Sequence, residues 1–300
     1  MNVVPEKLKP DLAHAVRLEW WTLGWQISIV ALMALVLGSS QAMKTAWIED
    51  LLGLVPAIVF LLAVHFEHKA PSQKFPFGYT RVNSLAFLGA ATVLGFMGLY
   101  LIYDSGSKLL AAEHPTLGPV HLFGQNIWIG WLMIAALLYS IVPPVILGRK
   151  KQPVARALAD KVLHTDALMQ KADWMTGAAG IVGILGVGFG FWWADSAAAL
   201  LIAFDILHDG YRATRVAMAE LIDGAPRKLG GPAISDDAKA LRDHLAERFP
   251  GADVRLRETG RYIWAEVHGI PSPPDLAPKE SYWAGDPEKS WRLAGLSFSP

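Results

Sequence analysis

Cysteine is absent from the 300 residues. Its absence excludes disulfides and every thiolate metal site, and leaves the redox compartment undecided. Charge is scarce too: Asp, Glu, Lys and Arg make up 18% of the chain, against 53% hydrophobic residues. A soluble domain rarely keeps so little charge, because its surface must be wetted. Basic and acidic residues balance to a formal net charge of zero, so no electrostatic footprint for nucleic acid is visible. The opening segment, MNVVPEKLKPDLAHAVRLEWW, is polar and amphipathic. It lacks the small-residue cleavage site after a short apolar core that marks a removable signal peptide.

Long apolar runs are what the chain has in place of charge, and its mean hydropathy is +0.31. A bilayer core about 30 Å thick is crossed by roughly 20 apolar residues of helix. Trp20 to Leu37, Ala46 to Val64, Val82 to Tyr103 and Ile127 to Leu147 fit as spans one to four. Span five runs from about Val162 to Phe191 and span six from about Ser196 to Ile222. Both carry charges in the part nearest the 4–5 loop or the C-terminus, so they span with their inner ends emerging. Several of the 12 tryptophans sit near the ends of apolar runs, where an aromatic belt places them.

Basic residues set the orientation. Lys7, Lys9 and Arg17 precede span one, Lys69, Lys74 and Arg81 lie in the 2–3 loop, and Arg149, Lys150, Lys151, Arg156 and Lys161 in the 4–5 loop. The opposite loops hold only Lys44 and Lys108. The positive-inside rule then places both termini in the cytoplasm, in agreement with an even number of spans. Past Pro226 the composition turns soluble. Ser235 to Phe249 predicts an amphipathic helix, Asp253 to Leu256 and Arg261 to His268 two strands about a turn at Thr259-Gly260, and Trp291 to Phe298 a last short strand. The expected organisation is a membrane domain over 1–225 and a cytoplasmic α+β domain over 226–300.

Within the spans, Asp50 and Asp173 interrupt runs that are otherwise apolar. A carboxylate at the centre of a membrane helix costs about 2.5 to 3.5 kcal/mol on insertion scales. A divalent cation held between helices offsets that cost through hard oxygen ligands, and a proton does so by neutralising the group. The plainer reading has each aspartate paired with Lys171 or lying at the interface. Met169 stands one turn before Asp173 on the same face, a position that suits packing or a soft ligand, and Asp166 stands further toward the cytoplasmic end of that face. Gly177, Gly180, Gly183 and Gly186 form a small-residue stripe along span five. Pro56, Pro143 and Pro144 are expected to kink spans two and four.

The order of further motifs adds a resemblance. FPFGYTR opens span three, DALMQKAD lies in span five, WWADSAAALLIAFDIL in span six and LIDGAP at its end. With six spans and a small cytoplasmic domain, this resembles the cation diffusion facilitator family of divalent-metal efflux transporters, over about residues 14 to 268. The resemblance implies an all-α membrane domain of six transmembrane helices with a small C-terminal cytoplasmic α+β, ferredoxin-like domain. It implies a homodimer in the cell (inner) membrane that exports a divalent metal of the Zn, Mn, Fe, Co or Cd class in exchange for protons. It also implies no enzymatic activity and no resident cofactor.

The family's four-ligand transport site falls here on Asp50 and Leu54 in span two and on Met169 and Asp173 in span five. Two of the four positions are therefore apolar or thioether, which fits a harder ion such as Mn²⁺ or Fe²⁺ slightly better than zinc. Asp166 is an expected entry ligand. Arg81 and Asp223 match the family's charge interlock, which locks its dimer. The incomplete ligand set leaves a second reading open, a transport-deficient member acting as a metal-binding membrane scaffold.

Overall fold

The computed structural model describes residues 4–36, 41–112, 119–122, 125–275 and 277–300. Six long helices lead the chain: α1 (Lys9–Val36), α2 (Gln41–Glu67), α3 (Arg81–Leu110), α4 (Ile129–Ala157), α5 (Lys161–Gly188) and α6 (Ala194–Leu221). Each has between 27 and 30 residues. At 1.5 Å per residue that is about 40 to 45 Å, the thickness of a bilayer with its headgroups. Among the described residues, Asp50–Glu67 and Arg81–Leu110 are long and apolar enough to cross a membrane by length and composition.

The surface of this bundle is apolar along all six helices. Ile27 and Leu32, Ile58 and Leu62, Phe96 and Leu99, Leu138 and Val142, Val182 and Leu185, and Leu201 and Phe204 stand exposed on α1 to α6 in turn. A water-soluble protein rarely leaves a band of that extent uncovered. Charge goes the other way: Glu19, Lys151, Asp160, Lys161, Asp166 and Glu220 are buried.

Helix pairing follows residue size. A Cβ on Gly210 of α6 would lie 2.4 Å from the Gly95 Cα of α3, and one on Gly98 of α3 would lie 2.5 Å from the Leu207 backbone nitrogen of α6. Only glycine lets the two backbones meet so closely. On α5, two glycines of the small-residue stripe face larger partners. Gly177 receives Ile141 of α4, and Gly180 receives Leu137.

The boundaries depart from the sequence expectation in three places. The amphipathic opening segment belongs to α1 itself, which begins at Lys9. Helix α4 continues to Ala157, so Arg149, Lys150, Lys151 and Arg156 are helical and not loop residues. The helix can turn Lys151 inward, and Lys151 is fully buried. Between α3 and α4 a short antiparallel hairpin was not foreseen, with β1 (Pro119–Leu122) paired to β2 (Gln125–Trp128).

Past Pro226 the chain builds one helix and one sheet. Helix α7 (Asp236–Arg248) starts at Ser235, whose hydroxyl accepts a hydrogen bond from the Ala238 N–H, an N-cap. Ala238, Leu241 and Leu245 are buried on its inner face, and Leu241 and Leu245 pack with Ile263, Ala265 and Leu293 of the sheet. Strands β3 (Asp253–Thr259) and β4 (Tyr262–His268) are antiparallel, and β5 (Leu293–Ser299) joins β4 in parallel. A parallel neighbour needs a crossover. Residues 269–292 supply it, with single 3₁₀ turns at Lys279–Tyr282 and Pro287–Arg292. Among the described residues the domain has three strands and one α-helix. That is one strand and one helix fewer than a ferredoxin-like fold, and the proline-rich crossover carries 3₁₀ turns where a second helix would lie.

Candidate functional site

Asp50 is half-buried on α2, and Asp173 is half-buried on α5, which packs against α2. Counting 1.5 Å per residue, Asp50 lies about 25 Å from the Glu67 end of α2 and Asp173 about 18 Å from the Lys161 end of α5, so both sit well inside their helices. The Asp50 main-chain carbonyl accepts from Gln26 Nε2 of α1 at 3.3 Å. A Cβ on Gly53 would lie 2.7 Å from that amide nitrogen, so the glycine makes room for the contact.

The other residues read as metal contacts keep different company. Met169 is fully buried in an apolar cluster with Leu94, Met97 and Leu101 of α3 and Ala203 and Ile206 of α6. Asp166 is two turns before Asp173 on the same face of α5. Its Oδ2 accepts from Lys151 Nζ of α4, which also donates to Glu19 Oε2 of α1 at 3.0 Å. All three side chains are fully buried. Lys171 does not turn to Asp173 as the plainer reading supposed. It pairs across the bundle with Asp205 of α6 at 2.8 Å and reaches Asp209 at 3.7 Å. Among the described residues no three His, Asp or Glu side chains gather where a metal ion would be held.

Arg81 and Asp223 are brought together at the inner ends of α3 and α6, with Arg81 Nη2 donating to Asp223 Oδ1. Arg257 of β3 donates to the same oxygen at 3.2 Å. Asp223 adopts a left-handed φ of 61°, which turns the chain out of α6 toward the C-terminal domain.

Beside this pair is a larger junction that sequence reasoning missed. The β3–β4 turn is Gly260-Arg261, one residue later than expected. Gly260 has a φ of 60°, the requirement at the first central position of a type II′ turn. A Cβ there would lie 2.9 Å from the Thr80 carbonyl oxygen at the start of α3. The Gly260 N–H donates to Ser84 Oγ at 2.8 Å and to Glu220 Oε1 at 3.0 Å. Arg261 is fully buried and pairs with Asp160 at 2.7 Å and with Glu67 at 3.5 Å.

Lys161, the first residue of α5, bridges Glu220 of α6 at 2.8 Å and Glu258 of β3 at 2.5 Å. Burial alone would pull its ammonium below the ordinary lysine value, but Glu258 and Glu220 outweigh burial and hold it above. Arg261 behaves alike: burial lowers its guanidinium, and Glu67 and Asp160 more than offset that. One signal was available in the sequence. Asp160 stands three residues before Leu163 and accepts from its N–H at 2.8 Å, an N-cap at the start of an apolar run.

The helices that carry these residues match a known domain. The description "Cation efflux transmembrane domain" fits residues 23–222, two-thirds of the chain. The chain belongs to the cation efflux family. Its relatives agree over most of their length at modest identity. An uncharacterised transporter of Methanocaldococcus jannaschii is 22% identical over 85% of this chain and 85% of its own. The cation-efflux pump FieF of Yersinia enterocolitica is 23% identical over 86% and 80%. The manganese efflux system protein MneS of Bacillus subtilis is 20% identical over 81% and 76%. As a cation efflux protein this chain is a membrane transporter of metal cations and not an enzyme. An apolar exterior is the surface a membrane domain presents to lipid.

Proposed function

We propose that this cation efflux protein exports a divalent metal from the cytoplasm in exchange for protons. It works as a homodimer in the cell membrane, with all six long helices spanning and both termini cytoplasmic. The observation that supports this reading is that two carboxylates, Asp50 and Asp173, stand well inside two helices, α2 and α5, that pack together within the cation efflux domain. An acidic group at that depth needs a cation or a proton. Alternation between the two is metal–proton exchange: loss of protons opens the carboxylates to metal, and their return releases it. Rocking of helix groups about the aspartates gives access from either side in turn. The ion proposed is a hard one, Mn²⁺ or Fe²⁺ ahead of zinc, because oxygen ligands dominate the site. The name of the Bacillus subtilis relative, a manganese efflux protein, agrees with that choice. Met169 and Asp166 have packing and ion-pair roles in this conformation and reach the metal only if the helices rearrange. The Arg81–Asp223 pair is the proposed interlock at the dimer's inner ends.

Transport in vesicles with an imposed pH gradient, run over a panel of divalent metals, tests the proposal. Asp50→Ala and Asp173→Ala should each abolish metal-driven proton movement while leaving the folded yield unchanged. Wild-type flux in both variants would refute the site.

A second reading is favoured by the sparse ligand set, with Leu54 apolar, Met169 packed among apolar side chains, and no three-ligand cluster among the described residues. In it the chain binds metal as a membrane scaffold without moving it. Tight binding in detergent together with zero flux for every metal in the wild type would establish that reading over the first.

A further inference from the structure

A cleft of about 380 Å³ separates the α4–α5 turn from the C-terminal domain, a volume within the range of small-ligand pockets. Six cations line it: Arg156 and Lys161 from the helical domain, and Arg227, Lys228, Lys289 and Arg292 from the chain after α6. Three carboxylates share the lining, an excess of three positive charges. Each carboxylate is already engaged. Glu258 is held by Lys161 at 2.5 Å and Arg292 at 2.8 Å, Asp236 by Lys228 at 2.8 Å, and Asp237 by Lys289 at 3.5 Å.

Arg156 and Arg227 are left over. Neither has a carboxylate within ion-pairing distance among the described residues, and Arg227 Nη1 donates only a long bond to the Pro232 carbonyl at 3.4 Å. The wall behind them is dry. The side chains of Lys161 and Arg292 are only 4% and 7% exposed, so water cannot fully solvate their charge. The amino end of α7, at Ser235, opens onto the same space and adds its partial positive charge.

We infer that this cleft is a binding site for a phosphate-bearing anion at the joint between the two domains. Two guanidinium forks without a carboxylate partner match the paired oxygens of a phosphate, which a lone chloride does not offer. The phosphate has two possible sources, the headgroup of an anionic phospholipid in the adjacent leaflet or a soluble phosphate compound. The occupant would bridge Arg156 of the helical domain to Arg227 of the C-terminal domain and tighten their docking.

Full-length protein in detergent and metal-free buffer tests the site without any transport measurement, so its outcome is independent of the function proposed above. One arm follows thermal unfolding with inorganic pyrophosphate against potassium chloride of equal ionic strength. The other arm uses native mass spectrometry after reconstitution with phosphatidylglycerol and phosphatidylcholine. Saturable stabilisation by pyrophosphate, weakened about tenfold or more in Arg156→Gln and Arg227→Gln, supports a soluble source. A retained phosphatidylglycerol that both variants lose and pyrophosphate displaces supports a lipid headgroup. Both substitutions remove the charge, keep a polar side chain and break no ion pair, and Arg227→Gln gives up only the long bond to the Pro232 carbonyl, so the unliganded variants should melt close to the wild type. Binding in either arm that the two variants leave unchanged overturns the site. So does an equal effect of chloride, or the absence of binding in both arms.

Discussion

The two regions of the molecule are built inside out with respect to each other. In the helical domain large apolar side chains face outward on every helix, and charge is buried at the end nearest the C-terminal domain. Past Pro226 the order reverses: Leu241, Leu245, Ile263 and Leu293 form a core, and among the described residues Ile234 is the one large apolar side chain left exposed. The difference is one of solvent. Lipid provides no hydrogen bonds and no cost for apolar exposure, whereas water rewards the burial of apolar surface by about 25 cal/mol per Å². At the seam both rules apply at once. Lys161, Glu220, Glu258, Asp160 and Arg261 are buried there with partners drawn from both regions.

The strongest way to break the contrast is to leave that seam with an unpaired charge. Arg261→Ala removes the cation shared by Asp160 and Glu67, and stranding buried carboxylates costs about 3 to 5 kcal/mol. We expect a large fall in thermal midpoint, with early protease cleavage near Gly224 as the C-terminal domain detaches. A wild-type melt for this variant would mean that the domain docks by shape alone.

The next effect lies wholly inside the helical domain. Lys151→Met leaves Glu19 and Asp166 buried together without their ammonium, a loss of about 3 kcal/mol. Replacing all three by Met or Leu should restore most of the stability, since a packed apolar set is often as good as a buried ion group. Thermal unfolding of the single and triple variants decides it. If the triple variant is as unstable as the single one, the triad contributes more than mutual neutralisation. A third and smaller loss, about 1 to 3 kcal/mol, is expected for Gly210→Val, whose added carbons meet Gly95 and Leu94 of α3. Crosslinking between α3 and α6 would report the splaying.

How much of this was legible beforehand follows the same division. The helices were readable because uncharged runs such as Val82 to Tyr103 state their solvent directly. The hairpin and α7 were readable from Ser235, Gly260 and the alternation around them, with the turn displaced by one residue. Lys151 was misread as a loop residue because a basic side chain after Pro143-Pro144 looks like the end of a span. Its partners lie 132 and 15 residues away in sequence, which local pattern cannot reveal. The glycines were singled out on α5 by their spacing, yet the closest backbone approach is between α3 and α6. Spacing shows where a helix is smooth and not which neighbour uses it. Asp50 and Asp173 were singled out by the cost of a carboxylate in lipid, a rule that needs no partner to be visible, and among the described residues no third acidic or histidine side chain joins them.

The smallest expected effect sharpens the comparison from its water-facing side. Asp236 is exposed in the first turn of α7 and pairs with Lys228 at 2.8 Å. The hydrogen bond from Lys228 holds its carboxyl below the ordinary aspartate value. A group depressed in the folded state contributes stability above its unfolded value, about 3.9, and loses it as pH falls through the folded value. Asp236→Asn should therefore matter only above that window and merge with the wild type in acid. Because the pair is exposed, water and salt screen it, and the difference should vanish in high salt. The same salt should leave the Arg261→Ala loss in place, since ions do not reach a buried guanidinium. Thermal unfolding of both variants at low and high ionic strength separates the two kinds of charge. An Asp236→Asn effect that survives high salt would show that this exposed pair acts through more than screened charge.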